Sequence, residues 1–327
     1  MAGTKKSYIE ALKRDLKFQL ERFNIKKRDI ETIFIGGGTP STISSNQYRD
    51  IFNIVTPLLK ENSEITIEAN PNSASKDWLK GVFELGVNRV SFGVQSFNNR
   101  KLKTLNRSHS PKEAILAIED AFKVGFKNIS IDLIYGLRGD TEELLREDLN
   151  IAFNLPINHI STYELTIEQN TKFFQTPNIK REDETLGYFI KDEIVNRGFE
   201  WYEVSNYGKY KSTHNLGYWQ LKEYMGVGAG AVGFLKNRRL YTHTNILKYI
   251  EEPTWREVEE LTEENILIEK IFLGLRSKIG IKREILTLNM QRRANILVEE
   301  NRLELRDNIY RNSNFFLSDE LALFLIG

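Results

Sequence analysis

The chain repeats one pattern. Short β-branched runs alternate with amphipathic helical stretches through its first two-thirds, one strand–helix unit about every 30 residues, which implies a parallel sheet covered by helices. Residues 8–22 carry Ile9, Leu12, Leu16 and Leu20 at helical spacing. Strands are expected at 32–35, 64–69, 89–94, 128–134, 159–165 and 201–204. Helices are expected between them at 45–59, 75–86, 111–124, 141–153 and 182–197, with Pro111 as a start and Gly125 and Gly198 as stops. Both a doubly wound open sheet and a (β/α) barrel satisfy this order. Polar residues recur at the strand ends, at Gly36 to Thr39, Glu68, Gln95, Asp132 and Glu164. Strand C-termini converging on one mouth favour the barrel. The chain opens with a helix, so the first strand of the repeat is missing.

The pattern changes near residue 246, dividing the chain into an expected barrel at 1–245 and a small domain at 246–327. In the second, helices are expected at 264–273, 282–288 and 290–300, with short strands at 301–305 and 314–317. That is a small helical domain with a winged-helix-like hairpin. Winged helices often bind DNA, but the segment has no concentrated basic face. Lys and Arg total 46 against 45 Asp and Glu in the whole chain. Neither feature favours nucleic acid.

The chemistry is narrowed by what is absent. Among 327 residues there is no cysteine, which excludes disulfides, thiolate nucleophiles and any all-cysteine iron–sulfur cluster built from these residues alone. The four histidines, His109, His159, His214 and His243, form no HxH or HxxxH pair. No apolar run approaches the roughly 20 residues that span a bilayer, and the N-terminus has no apolar core of a secretory signal. The expectation is a cytoplasmic protein with no integral membrane segment, open to peripheral contact only.

Gly36-Gly37-Gly38-Thr39 follows a strand, and such a run lets backbone approach a ligand and present N–H groups to it. It is neither a Walker loop nor a GxGxxG fingerprint. Glu68, Gln95 and Asp132 sit in or at the ends of apolar strands, where a carboxylate is costly unless paired or facing a cavity. Arg107 follows in a loop and could offer a fixed charge to a ligand carboxylate. His214-Asn215-Leu216-Gly217-Tyr218-Trp219 is the densest cluster of unusual side chains. On spacing alone the commoner reading is a corner where His214 and Asn215 cap a helix while Tyr218 and Trp219 fill the core. The rival reading is iron ligation by His214 with the aromatic rings walling a flat ligand.

Taken together, IFIGGGTPS (33–41), IEANP (67–71), RVSFGVQSF (89–97), LNRSHS (105–110), IDLIYGL (131–137), HNLGYW (214–219) and GVGAGAVGF (226–234) resemble the HemW proteins. These are relatives of the oxygen-independent coproporphyrinogen III oxidase of porphyrin biosynthesis, within the radical S-adenosylmethionine superfamily. The resemblance implies a partial (β/α)₆ TIM-like barrel holding S-adenosylmethionine at its mouth. By motif match, the loop Gly36, Gly37, Gly38, Thr39 takes the methionine amino group. Glu68, Gln95, Arg107 and Asp132 contact the methionine end and ribose, and Thr166 and Val232 fall where further cofactor contacts lie. It also implies a heme-binding chaperone that transfers heme to a recipient protein, with His214 as the candidate for heme iron beside Tyr218 and Trp219. The alternative is an oxidase of coproporphyrinogen III.

The resemblance breaks at the start. The family's first strand and CxxxCxxC loop, whose thiolates hold a [4Fe–4S] cluster, have no counterpart here. Val232 also stands where a histidine occurs in many HemW sequences. The expectation is no radical catalysis from this chain, weakened S-adenosylmethionine binding, and a cluster only in a fuller form. Three accounts fit: an N-terminally shortened chain, a degenerate relative, or cysteines supplied by another chain.

Overall fold

A computed structural model describes residues 2–167, 179–181 and 183–327. Among them the chain forms two compact units. One comprises residues 32–49 and 63–212, the other residues 1–31, 50–62 and 213–327.

The first unit is built on a seven-stranded sheet. Its strands are β1 (Ile30–Ile35), β2 (Leu59–Ala69), β3 (Arg89–Gln95), β4 (Asn128–Tyr135), β5 (His159–Glu164), β6 (Glu200–Glu203) and β7 (Asn206–Gly208), in the order β1-β2-β3-β4-β5-β7-β6. β2 through β5 pair in parallel, with Glu68 opposite Ser91 and Asp132 opposite Ser161. The intervening helices are α2 (Ser45–Val55), α3 (Lys76–Glu84), α4 (Asn99–Thr104), α5 (Pro111–Val124), α6 (Glu142–Phe153) and α7 (Glu184–Asn196). This is the curled half-barrel expected from the strand–helix repeat, and its sheet starts at β1, directly after a helix.

Local signals account for the helix limits. Ser75 accepts the Trp78 amide at the start of α3, and Ser110 and Glu113 form a capping box ahead of Pro111 in α5. Gly125, at φ 126°, ends α5 in a conformation a side chain resists. One face of each parallel strand is apolar. Ile65, Ile67, Val90, Phe92, Ile129, Ile131 and Ile160 are buried, as are Leu79, Ile118 and Leu149 on the helices.

The end of the sheet departs from the expected parallel order. β7 runs antiparallel to β5, and β6 antiparallel to β7. The residues expected as one last strand at 201–204 are the first arm of a hairpin, and its second arm is the one bonded to β5. Helix α7 begins at Glu184, capped by Asp183; the expected start at Glu182 lies outside the described residues.

The second unit contains α1 (Ala2–Arg22), α8 (Thr213–Trp219) and α9 (Ile246–Glu251), with a small antiparallel sheet β10-β9-β8 (Glu257–Glu260, Arg238–Tyr241, Val232–Leu235). That sheet was not anticipated. A polar hub of the unit is Asp15 of α1, fully buried, which accepts from Tyr249 Oη at 2.8 Å, from the Gly228 amide at 3.2 Å and from Arg256.

The C-terminal segment packs α10 (Glu263–Leu275), α11 (Leu288–Glu299) and α12 (Ser318–Ile326) around Ile271, Leu275, Leu297, Leu321 and Leu325. Its sheet is β11-β13-β12, from Ile281–Lys282, Ile309–Arg311 and Glu304–Arg306. Two expectations are corrected here. The stretch 282–288 is a strand end and a single 3₁₀ turn rather than a helix, because Thr287 caps α11 and terminates it. The hairpin lies at 304–311, turning through Asp307 and Asn308 at φ 52° and 58°, a pair suited to a tight primed turn. Residues 315–317 are a 3₁₀ turn, not a strand.

Candidate functional site

A sheet covered by helices on one side and closed on the other should be apolar on both faces. This one is not. Strand alternation puts Glu64, Thr66 and Glu68 on one face of β2, Arg89 and Ser91 on that of β3, Ser130 and Asp132 on that of β4, and His159 and Ser161 on that of β5. All nine are polar. A half-barrel whose inner wall is polar along four strands is built to hold polar contents rather than a packed hydrocarbon core.

At the N-terminal end of this wall most of the polar groups are paired, although Arg89 Nε is buried without a partner among the described residues. Glu64 accepts from Tyr210 Oη at 2.7 Å and Ser212 Oγ at 3.1 Å. His159 is enclosed, with Nδ1 2.7 Å from Ser130 Oγ and Nε2 2.7 Å from Tyr202 Oη. Burial drives its pKa well below the ordinary value, so the ring is neutral. Arg89 is 2% exposed, and Nη1 donates to Thr66 Oγ1 across 3.4 Å.

At the C-terminal end the expected site residues assemble. The Gly37 amide donates to Glu68 Oε2 at 3.2 Å, so one N–H expected for a ligand is held by the neighbouring strand. Gly37 and Gly38 have φ 79° and 59°, and a Cβ on either would meet no atom within 4 Å. The loop is open above. Below it, a Cβ on Gly36 would lie 2.6 Å from the Phe34 ring and 3.0 Å from Glu68. Asn70 secures the loop, donating through Nδ2 to Thr39 Oγ1 at 3.5 Å and through its backbone amide to Ser41 Oγ at 3.0 Å.

Burial raises the pKa of Glu68, opposed by the Gly37 amide. Asp132 is pushed up to about 6 by burial, despite hydrogen bonds from Ser161 and Ser91. Neither carboxylate has a lysine or arginine nitrogen within ion-pair distance among the described residues. Arg107 is half-buried; desolvation lowers its pKa while the Asp132 charge raises it. Its loop is fixed by the Arg107 amide on the Leu102 carbonyl at 2.9 Å and by His109 Nε2, which donates to the Val94 carbonyl at 2.9 Å. Gln95 is buried in a left-handed conformation, φ 67°, after a break in the β3–β4 register. Its Nε2 folds back over Gly93, 2.9 Å from where a Cβ would stand. A non-glycine residue held there is strained, a cost the surrounding structure must offset.

Thr166 follows β5, exposed, with Oγ1 on the Glu164 carbonyl at 3.4 Å. Val232 opens β8 in the other unit, where its backbone crowds Gly226 closely enough to exclude any side chain there. Sequence reasoning passed over Glu64, Arg89, Asn70 and Glu203. Glu203 is fully buried, and Oε2 accepts the Ser205 amide while Oε1 has no partner among the described residues. Desolvation pushes its pKa up to about 8. For Glu64, Arg89 and Glu203 the visible signal was a charged residue inside a β-rich run.

HNLGYW forms helix α8 rather than a capping corner. His214 and Asn215 lie within the helix, and Tyr218 is 41% exposed instead of filling the core. His214 Nε2 is 3.0 Å from Tyr218 Oη, with the rings perpendicular at 4.8 Å. Tyr218 in turn stands edge-on to Tyr224 at 4.7 Å, and Arg239 donates to Tyr224 Oη at 2.8 Å. Burial of its hydroxyl, with a smaller contribution from the neighbouring Tyr224 phenol, pushes the Tyr218 phenol up to about 12. Trp219 is partly buried.

Comparison with known proteins agrees with this geometry. Residues 4–152 match the profile of the Radical SAM superfamily. The heme chaperone HemW of Bacillus subtilis (strain 168) is 34% identical over 294 residues, covering 85% of this chain and 77% of that protein. HemW of Lactococcus lactis subsp. lactis (strain IL1403) is 36% identical over 289 residues, covering 84% and 75%. In structure, coproporphyrinogen III oxidase (HemN) from Escherichia coli, a radical SAM enzyme, superposes with a TM-score of 0.78 at 17% identity, over 99% of this chain and 84% of that one. With the half-barrel, its loop of three glycines and relatives of this closeness in hand, the chain belongs to the HemW family of the radical SAM superfamily.

Proposed function

We propose that this protein binds heme through helix α8 and hands it to a recipient protein, as the name of its relatives suggests for them. The observation that carries the reading is the His214–Tyr218 pair, an imidazole and an exposed phenol in contact on one helix face. Trp219 is carried into this site on the motif match alone. Stoichiometric titration of ferric heme, followed at the Soret band, tests it. Saturable one-to-one binding that weakens in His214→Ala or Trp219→Ala is expected. Absence of saturable binding to the parent chain overturns the reading.

The mouth of the half-barrel is proposed to take S-adenosylmethionine. Its open glycine loop and two half-buried carboxylates, neither in an ion pair among the described residues, suit a ligand bearing an ammonium and a sulfonium. Arg107 suits that ligand's carboxylate. Gly36, Gly37, Gly38, Thr39, Glu68, Gln95, Arg107 and Asp132 would hold it; Thr166 and Val232 are carried on the motif match alone. When bound in an active superfamily member, this cofactor supplies a radical on one-electron reduction. A thiolate-held [4Fe–4S] cluster does not fit these 327 residues, which contain no cysteine, and no reductive step is assigned to them. That also disfavours the coproporphyrinogen oxidase reading, since the likeness to HemN at 17% identity speaks for fold alone. Of the segment 246–327, the part from α10 onward is proposed as an accessory domain, supported by a core that closes within α10 to α12, whereas α9 and β10 are tied to α1 and β9.

A further inference from the structure

We infer that Asp148 of helix α6 is the positioning residue of the half-barrel mouth, holding the strained turn that presents Gln95 to the ligand, with the buried Lys101 as its charge partner. The inference rests on the S-adenosylmethionine reading given above and adds to it a residue that lies outside the mouth.

Gln95 needs such a support. The Ser96 amide donates to the Val94 carbonyl at 2.8 Å, closing a three-residue turn with Gln95 at its centre, at φ 67°. A turn of that hand about a residue other than glycine is rare and strained, and it persists only where its surroundings enforce it. Relaxation of this backbone would swing the carboxamide away from the place it holds over Gly93.

The turn is fastened on both sides. Before it, His109 Nε2 donates to the Val94 carbonyl at 2.9 Å. After it, Asp148 takes two donors at once: Ser96 Oγ donates to Oδ2 at 2.6 Å, and the Phe97 amide to Oδ1 at 2.7 Å. Both are short bonds to a carboxylate, the stronger kind. Ser96 Oγ also accepts the Asn98 amide at 3.0 Å, and Asn98 Oδ1 caps α4. The Leu102 carbonyl of α4 then accepts the Arg107 amide at 2.9 Å. One carboxylate thereby anchors the segment that carries both Gln95 and Arg107.

Asp148 does this from the other side of the sheet. It is 4% exposed and borders a small cavity with Leu133, Leu149 and Thr162. Leu133 and Thr162 alternate with Asp132 and Ser161 of the polar wall, so they point away from the mouth. A carboxylate in such surroundings is costly unless it is compensated. Burial raises its pKa, opposed by the Ser96 hydrogen bond, the Lys101 charge and the Phe97 amide. Lys101 Nζ stands 2.9 Å from Asp140 Oδ1, both side chains almost fully buried. Nζ has no aligned hydrogen bond among the described residues, so it serves as a charge between two carboxylates rather than as a fixed donor. Asp140 Oδ2 accepts the Leu137 amide at 3.0 Å, which ties the loop beyond Asp132 into the same cluster.

The experiment titrates the whole chain with S-adenosylmethionine by calorimetry. It compares the parent with Asp148→Ala, Asp148→Asn, Gln95→Ala and the double variant Gln95→Ala/Asp148→Ala. Hydrogen exchange is followed at the Phe97 amide, and thermal midpoints control for folding. Asp148→Ala should speed that exchange and weaken binding about tenfold, the worth of one hydrogen bond to a charged ligand. Asp148→Asn, which keeps an acceptor for the Phe97 amide, should recover part of the affinity. Gln95→Ala should also weaken binding, and adding Asp148→Ala to it should change the affinity by less than about twofold, because the two act through one contact. If Asp148→Ala does not fold, Ser96→Ala, which removes only the partner of Oδ2, takes its place in the cycle. Two losses that multiply, or an affinity that either single variant leaves unmoved, overturn the assignment while S-adenosylmethionine binding stands. No binding by the parent overturns both.

Discussion

The Gly37 amide and the Glu68 carboxylate meet across 3.2 Å, so the loop after the first strand and the end of the second act as one polar edge. Gly36 lies beneath that contact, where a methyl group would strike the Phe34 ring and crowd Glu68. Gly36→Ala should therefore destabilise the half-barrel by about 1–3 kcal/mol, in the range of other overpacking substitutions. Urea unfolding checks this. An unchanged midpoint would mean that Phe34 rotates aside freely.

Glu203 should make the fold less stable as the medium turns alkaline. Its carboxyl, raised from 4.5 to about 8 by burial, holds a proton in the folded state that the unfolded chain has already released. Stability from this group is complete below pH 4.5 and is lost as pH rises through about 8. Other groups titrate too, so the difference between parent and Glu203→Gln isolates it. The parent should lose ground to Glu203→Gln between about pH 5.5 and about 8.5. Parallel curves would show that the group ionises freely in the fold.

His159 should give the opposite slope. Enclosed by Ser130 and Tyr202 and uncharged, it resists a proton that the unfolded chain accepts near pH 6.5. Its contribution is present above that pH and lost as pH falls below it. Relative to His159→Gln, the parent should weaken on acidification from about pH 7.5 to about pH 5. Chemical denaturation across that interval measures the difference. A His159 proton titrating near its ordinary value by NMR would refute the enclosure.

Asp15 and Arg256 are both buried and joined by a charge-assisted hydrogen bond. Asp15→Ala should cost about 3–5 kcal/mol, because it strands a buried guanidinium. It also removes the acceptor of the Gly228 amide, so exchange of that amide with solvent should accelerate. A double variant lacking both charges should cost less than the two single changes added together. Simple additivity would show that the pair is not coupled.

The local grammar of the chain was readable without coordinates. Ser75, Ser110 with Pro111, Thr141 and Gly125 mark helix ends through bonds spanning three or four residues, and such signals do not depend on the rest of the fold. The strand–helix alternation, the glycine loop and the convergence of Glu68, Gln95 and Asp132 on one mouth follow from the same short-range logic plus the direction of parallel strands. What sequence could not supply was pairing at a distance. Nothing local says that 206–208 rather than 200–203 bonds to β5, or that the C-terminal hairpin turns at 307–308, because those choices depend on which partner strand has free backbone groups. The same holds for the polar wall. Glu64, Arg89 and His159 look like scattered charges until register brings them to one face, where they satisfy or leave one another unsatisfied. In helix α8 the four-residue spacing of His214 and Tyr218 already implied contact. That Tyr218 stands edge-on to Tyr224 and is nonetheless 41% exposed was decided only in the tertiary structure, since burial is a property of the assembled surface and not of the helix that carries it.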